Sequence, residues 1–338
     1  MRKELNQLRE EMARRGLHAC LIPTADFHGS EYVHDHFQFR RYVSGFTGSA
    51  GTLVVTPQEA GLWTDGRYFL QAEQQLAGSG ITLYRSGMPG TERIPQFLER
   101  TMPDRGRLGV DGRTISYKMG RHLENLLEHK KISLAYQEDL AGAVWAGRPP
   151  ILPQKIWELP VSCAGQGREE KLAVLREKIQ ESGANSHLIT TLDDIAWLFN
   201  LRGGDIPQNP VFFSYCLLTP EETSLFVYGE ALSPELRRAL EEDGIRIRPY
   251  AAITEALGDL DESCRLLLDT SQVSYSLKKA IPKEVRRVFG PNPSTLLKSI
   301  KNPTEIAGLR EANRKDGVAD VYKRQEHTRE LRRSSRPL

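Results

Sequence analysis

Residues 4–15 space Leu5, Leu8 and Met12 at helical intervals among Glu and Arg, which predicts an amphipathic helix. The apolar run Ala19-Cys-Leu-Ile22 ends at Pro23 and predicts a strand. Thr24 to Arg41 is polar and aromatic without a period and predicts a loop. Gly51-Thr-Leu-Val-Val-Thr56 predicts a buried strand, with Glu59-Ala-Gly-Leu-Trp63 as its hairpin partner. Helix and strand then alternate. A helix follows Asp65, a strand lies near Thr82-Leu-Tyr84, a helix runs from Glu92 to Met102, and Leu108-Gly-Val-Asp111 is the next strand. A long helix from Ser116 to Glu128 carries Leu123, Leu126 and Leu127.

The stretch from Gly147 through Pro160 to Gly167 is rich in Pro and Gly, so residues 1–150 form a first domain and 151–167 a linker. A second alternating domain covers 168–298. It opens with a helix from Arg168 to Glu181, a strand His187-Leu-Ile-Thr190 and an apolar helix from Leu192 to Asn200. Strands follow at Val211 to Leu218 and Ser224 to Tyr228, then a helix from Ser233 to Glu242 and a strand from Ile245 to Pro249. A helix from Ala251 to Leu260, a strand from Arg265 to Asp269 and a helix near Tyr275 to Ile281 complete the series. The alternation predicts an α/β fold. The shared order predicts a structural duplication, although direct identity between the halves is weak. Residues 299–319 start another unit. Asn302 suits an N-cap, Pro303 the first helical position, and Glu305 can reach back to the cap.

Composition narrows the class. Hydrophobic residues at 39% and charged residues at 27% fit a soluble globular protein of two ordinary domains. No apolar run approaches the roughly 20 residues needed to cross a bilayer. The start lacks an apolar signal core, and the four cysteines are far apart. Together these predict a cytoplasmic protein without a disulfide framework or zinc knuckle. The net charge of +2 owes much to residues 320–338, which hold six Lys/Arg and three Asp/Glu. The remainder holds 40 basic and 41 acidic residues, so neither nucleic acid nor an anionic membrane is an expected partner.

Four phrases in order carry a family resemblance. They are Ser30-Glu-Tyr32 with Arg40-Arg-Tyr-Val-Ser-Gly-Phe-Thr-Gly-Ser-Ala-Gly51, and Trp63-Thr-Asp-Gly-Arg-Tyr-Phe-Leu-Gln-Ala72. Then come Thr191-Leu-Asp-Asp-Ile-Ala-Trp-Leu-Phe-Asn-Leu-Arg-Gly203 with Asn209-Pro-Val-Phe-Phe-Ser-Tyr215, and Lys301-Asn-Pro-Thr-Glu-Ile-Ala307. The set resembles the three-domain Xaa-Pro aminopeptidases. The resemblance implies two creatinase-N-like (RNase H-like) domains with mixed sheets flanked by helices, then the first helix of a pita-bread catalytic domain. It implies an enzyme that releases the N-terminal residue of a peptide with proline second. In the family, two manganese-type ions are held by two Asp, one His and two Glu in that third domain. The phrases bearing those ligands are absent here, so no catalytic or metal residue is assigned and this chain alone is expected to be inactive. The resemblance further implies a homodimer in the full-length form.

One family role carries over: Arg67 matches an arginine that contacts the bound peptide. A guanidinium offers a fork of donors to carboxylate or carbonyl oxygens at any working pH. From the residues alone, a surface ion pair at a helix start is the competing reading. The glycine-rich Gly45 to Gly51 precedes a strand and lacks a Gly-Lys-Ser/Thr ending, so it reads as a tight loop rather than a phosphate cradle. His28, His34, Asp35 and His36 read as a solvated loop more readily than as a metal cluster. Asp193 and Asp194 suit a helix start, and Trp197 and Phe199 read as core. Asp205, Gln208 and Asn209 form a polar loop that would face the catalytic cleft in a longer protein.

The likeness stops after Ala319. Asp320-Val-Tyr-Lys-Arg-Gln325 is the literal translation of GATGTGTATAAGAGACAG, a transposase mosaic end used in preparing sequencing libraries. Residues 320–338 are therefore expected to be non-native, a point that resequencing across codon 319 decides. The alternative to a truncated enzyme is a non-catalytic peptide-binding or scaffold protein made of the two domains. A nucleotide-binding α/β protein rests on the glycine loop alone.

Overall fold

The computed structural model describes the backbone of residues 2–334 and the side chains of residues 2–323. The first half runs α1 (Lys3–Arg14), β1 (Ala19–Pro23), α2 (Phe39–Ser44), β2 (Thr52–Val55), β3 (Ala60–Thr64) and α3 (Phe69–Leu76). It continues with β4 (Thr82–Arg85), α4 (Ile94–Thr101), β5 (Arg107–Gly109), α5 (Tyr117–Leu127), β6 (Ser133–Ala135) and α6 (Leu140–Val144). The stretch expected as a linker holds β7 (Trp157–Glu158) and α7 (Val161–Ala164). The second half runs α8 (Arg168–Glu181), β8 (Ser186–Ile189), α9 (Leu192–Leu198), β9 (Leu201–Arg202), β10 (Ser214–Leu218) and β11 (Thr223–Val227). Then come α10 (Pro234–Glu242), β12 (Ile245–Pro249), α11 (Ile253–Gly258), β13 (Arg265–Leu268), α12 (Tyr275–Ala280), β14 (Arg286–Phe289), α13 (Pro293–Ser299) and α14 (Pro303–Ser334).

The halves form two six-stranded sheets with orders β4-β3-β2-β1-β5-β6 and β12-β11-β10-β8-β13-β14. β2 is antiparallel to β1 and β3, and β10 is antiparallel to β8 and β11; the remaining pairs are parallel. Order and direction thus repeat strand for strand; the succession of elements predicts the duplication but not the edge strands β6 and β14. Helices cover both faces, so the central strands are apolar throughout. Ala19 and Leu21 meet Phe97 and Leu123 on one side, while Cys20 and Ile22 meet Leu5 and Leu8 on the other.

The halves join through a local repeat that alternation does not reveal. Asp111-Gly-Arg-Thr-Ile-Ser-Tyr117 matches Asp269-Thr-Ser-Gln-Val-Ser-Tyr275 in its Asp, branched apolar, Ser and Tyr positions. Each Asp accepts from the amide two residues on, Arg113 N at 3.0 Å and Ser271 N at 2.9 Å. Ser116 caps α5 and Ser274 caps α12, and these two serines face each other in an antiparallel bridge. Tyr117 N donates to Val273 O and Tyr275 N to Ile115 O, both at 2.8 Å, a reciprocal pair across a local pseudo-twofold axis. Gly120 is required here: a Cβ would lie 2.0 Å from the Tyr275 ring.

The structure differs from the sequence reading between Thr24 and Arg41. That stretch is an arm across the domain boundary, with a 3-10 turn at Asp35–Phe37 and the start of α2. Phe27, Val33 and Phe37 pack into the core of the second half beside Phe213. The elements missed by periodicity are short, among them β6 with three residues, β14 with four, α6 with five and α13 with seven, too few to show a clear period. The strand expected from Val211 begins at Ser214, because Asp205 Oδ2 accepts from Phe213 N at 2.8 Å and holds the preceding residues outside the ladder.

α14 starts as its sequence predicts. Asn302 Oδ1 accepts from Glu305 N and Glu305 Oε2 accepts from Asn302 N, each at 2.9 Å. The helix runs on to Ser334, and its described residues beyond Ile306 are exposed through Lys323. The expected non-native tail is helical as far as it is described; residues 335–338 lie outside the described residues.

Candidate functional site

The carboxyl ends of β1, β3 and β4 meet the start of β2 at one edge of the first sheet. A crevice of about 1000 Å³ opens there, walled by Leu21, Thr52, Trp63, Asp65, Met88 and Met119 among others. Such edges are where open α/β sheets usually bind ligands. Trp63 is fixed by stacking on Tyr84 at 4.2 Å and by Nε1 donating to Glu92 O at 2.7 Å.

Arg67 lies two residues after Asp65 of that wall. Asp65 caps the 3-10 turn Gly66–Tyr68 by accepting from Arg67 N at 3.1 Å. The Arg67 guanidinium returns to the same carboxylate, with Nε on Oδ1 and Nη2 on Oδ2, both at 2.9 Å. That bond holds the Asp65 carboxyl down at about 2. The Arg67 side chain is 69% exposed, so its fork is tethered yet accessible. The ion pair expected as the competing reading is therefore present, and it leaves the outer face of the guanidinium open to solvent.

The glycine loop beside it presents carbonyls inward, opposite to a phosphate cradle. Buried Arg40 donates Nη1 to Phe46 O at 3.1 Å, Nη2 to Gly48 O and Nε to Thr24 Oγ1 at 2.7 Å. Burial lowers the Arg40 guanidinium to about 10. A Cβ at Gly48 would lie 2.2 Å from the Phe46 ring, which explains the glycine. Ser49 meets the Tyr68 hydroxyl at 2.6 Å and links the loop to the Arg67 turn.

The histidines separate. His28 is buried, corrects the expectation of a solvated loop, and ties the halves together: Nδ1 meets Thr190 O at 2.8 Å and Nε2 the Tyr250 hydroxyl at 2.7 Å. Burial holds its pKa below the ordinary value. His34 accepts from His36 N at 3.0 Å, and His36 Nδ1 meets Pro149 O at 2.7 Å. Among the described residues no group of three or more His, Cys, Asp or Glu is placed to hold a metal ion.

Asp193 and Asp194 do not form a paired-carboxylate site. Asp194 is buried and accepts from Thr191 Oγ1 at 2.6 Å, Thr295 Oγ1 at 2.8 Å and Asn292 Nδ2 at 2.9 Å, with Lys298 Nζ at 2.8 Å. It fastens α9 to α13, while Asp193 stays exposed against Lys298. Trp197 is half-buried rather than core. Its Nε1 donates to Glu305 Oε1 at 3.2 Å and its ring lies 4.5 Å from Lys171 Nζ, joining α14 to the second half. Asp205 is structural too, accepting from Gln154 N at 2.7 Å as well as from Phe213 N. Sequence reasoning missed Tyr215, Tyr228 and Tyr250, which line a cavity of about 710 Å³ between the halves. The Asp-to-Tyr repeat was the available signal for that boundary.

Two family models, both described as Creatinase/Prolidase N-terminal domain, match residues 4–139 and 147–305. The Xaa-Pro aminopeptidase ApepP of Drosophila melanogaster is 38% identical over 328 residues, covering 93% of this chain and 53% of its own. The probable Xaa-Pro aminopeptidase P of Coprinopsis cinerea is 36% identical over 338 residues, covering 94% and 53%. The crystal structure of X-prolyl aminopeptidase from Caenorhabditis elegans, described as a cytosolic enzyme with a di-nuclear active site, matches with a TM-score of 0.91. It is 28% identical, and the match covers 97% of this chain and 56% of that one. The chain thus spans about half the length of the curated relatives it matches. Two matched domains, a repeated sheet order and relatives over nearly all of its length place the chain in the creatinase/prolidase N-terminal domain family, as a tandem pair.

Proposed function

We propose that this chain is the substrate-gathering N-terminal part of a cytoplasmic Xaa-Pro aminopeptidase, and that Arg67 contacts the bound peptide. The whole protein then releases the first residue from peptides whose second residue is proline. Two divalent ions, manganese by family resemblance, supply a polarised water there and are held by residues outside this chain. The full-length protein pairs as a homodimer. The observation that carries the reading is the accessible guanidinium of Arg67 at the carboxyl edge of the sheet, tethered by a single local carboxylate. That arrangement pre-orients a fork of donors while leaving outward-facing N–H groups for a peptide oxygen.

The test has two arms. The purified chain, given manganese and an alanyl-proline peptide, is expected to release no alanine; metal-dependent release overturns the assignment of chemistry to other residues. In the complete gene product, Arg67→Ala is expected to lower kcat/KM by about tenfold, the cost of one charge-assisted hydrogen bond. Unchanged kcat/KM removes Arg67 from the site.

A further inference from the structure

The two sheets carry the same crevice, and one of them is already lined by a segment from the other half. In the second half the carboxyl end of β11, the turn after β12 and the start of β10 supply Tyr228, Tyr250 and Tyr215 around the interdomain cavity. In the first half the equivalent positions, at the end of β3, after β4 and at the start of β2, supply Asp65, Ser86 and Thr52 around the open crevice. The helices correspond as well: Ile253 and Leu277 stand where Ile94 and Met119 do.

The second crevice shows what such a place accepts. The arm from the first half lays Phe27 against the cavity and sets His28 against Tyr215 in a tilted contact, ring centroids 4.5 Å apart. An irregular peptide segment thus presents consecutive ring side chains to the edge of the second sheet. The first crevice is larger, about 1000 Å³ against about 710 Å³, and every residue lining it belongs to the first half. Its walls are more apolar, with Met88 and Met119 half-exposed at 50% and 47%. Thioether side chains adapt to rings of different shape. Asp65 belongs both to this wall and to the Arg67 tether.

We propose that the first crevice is a peptide-specificity site that takes an aromatic or bulky apolar side chain of the bound peptide, downstream of the peptide atoms held by Arg67. The inference rests on the reading of Arg67 as a peptide contact and adds the substrate class: proline-second peptides of several residues with a ring in the downstream part.

The experiment uses the purified chain labelled with ¹⁵N and two synthetic peptides, Ala-Pro-Ala-Ala-Phe and Ala-Pro-Ala-Ala-Ala. Affinity is read from titration of amide shifts, with the Trp63 indole as the local reporter. The Phe peptide is expected to bind about tenfold more tightly, since burying a ring removes over a hundred Å² of apolar surface from water. Only the Phe peptide is expected to move the Trp63 indole signal. Met119→Lys, on an exposed helix position, is expected to bring the Phe peptide down to the wild-type affinity of the Ala peptide. Equal affinities for the two peptides, with binding lost in Arg67→Ala, overturn the crevice and leave the Arg67 reading intact. A ring preference that survives Met119→Lys also overturns the crevice. Binding of both peptides unaffected by Arg67→Ala overturns the Arg67 reading, and no binding of either overturns both.

Discussion

The turn after β3 and the turn after β11 occupy the same place in the two sheets and have the same backbone form, a 3-10 turn at Gly66–Tyr68 and at Gly229–Ala231. Their side chains diverge. The first reads Asp65-Gly-Arg-Tyr68 and the second Tyr228-Gly-Glu-Ala231, so an exposed Glu230 stands where Arg67 does. In the second half Tyr228 turns inward and stacks on Tyr250 at 4.7 Å. In the first half Asp65 stays outside and ties Arg67. The two sheets share the turn and carry opposite charges at its tip. The equivalent position thus takes either charge in this fold, which is what the proposed peptide contact by Arg67 requires.

The largest test of this comparison lies at the pseudo-twofold interface. Tyr275 is buried beneath α5, whereas its counterpart Tyr117 is only half-buried. Tyr275→Ala is expected to cost about 4 kcal/mol in denaturant unfolding, and Tyr117→Ala about 1 kcal/mol. Equal costs would show the interface to be energetically symmetric despite its unequal burial.

The next effect compares neighbours. Asp194→Ala leaves Asn292, Thr295 and Lys298 without their shared acceptor and is expected to cost about 3 kcal/mol, whereas the more exposed Asp193→Ala is expected to cost below about 1 kcal/mol. Equal losses would return Asp193 to a structural role.

A smaller effect is pH-dependent. Burial keeps His28 neutral below its ordinary value of 6.5. As pH falls below that value the unfolded chain takes up a proton that the folded chain resists, so the unfolded state binds more protons. The contribution of His28 is thus fully present above pH 6.5 and is lost as the pH falls toward its lowered folded value. His187, buried inside the second half, shifts in the same direction. The His28→Asn variant is expected to lose part of the stability slope below pH 6.5 while His187 retains its share. An unchanged slope would mean that the interdomain histidine does not couple to folding.

The smallest effect is the most pointed. Arg67→Glu and Glu230→Arg, each making one turn resemble the other, are expected to leave the thermal midpoint where it was. A marked fall for Arg67→Glu would make the arginine structural and dissolve the contrast.

Much of the fold was legible because buried parallel strands and amphipathic helices write long apolar signatures. The cap of α14 was legible down to both hydrogen bonds, since Asn302, Pro303 and Glu305 act within one turn. Arg67 was found through the phrase it sits in rather than through any local pattern. Asp194 was read as a dipole partner because its anchors lie about a hundred residues away on α13.

The sequence by itself determined the main alternation of helices and strands, the duplication and the family, because these depend on local period and on phrases in register. Tertiary structure alone decided which aromatic residues line one crevice and which side chains line the other. It also turned the Thr24–Arg41 stretch from a loop into an interdomain arm. Those outcomes depend on contacts such as His28 with Thr190, 162 residues apart, and such separations leave no period in the chain.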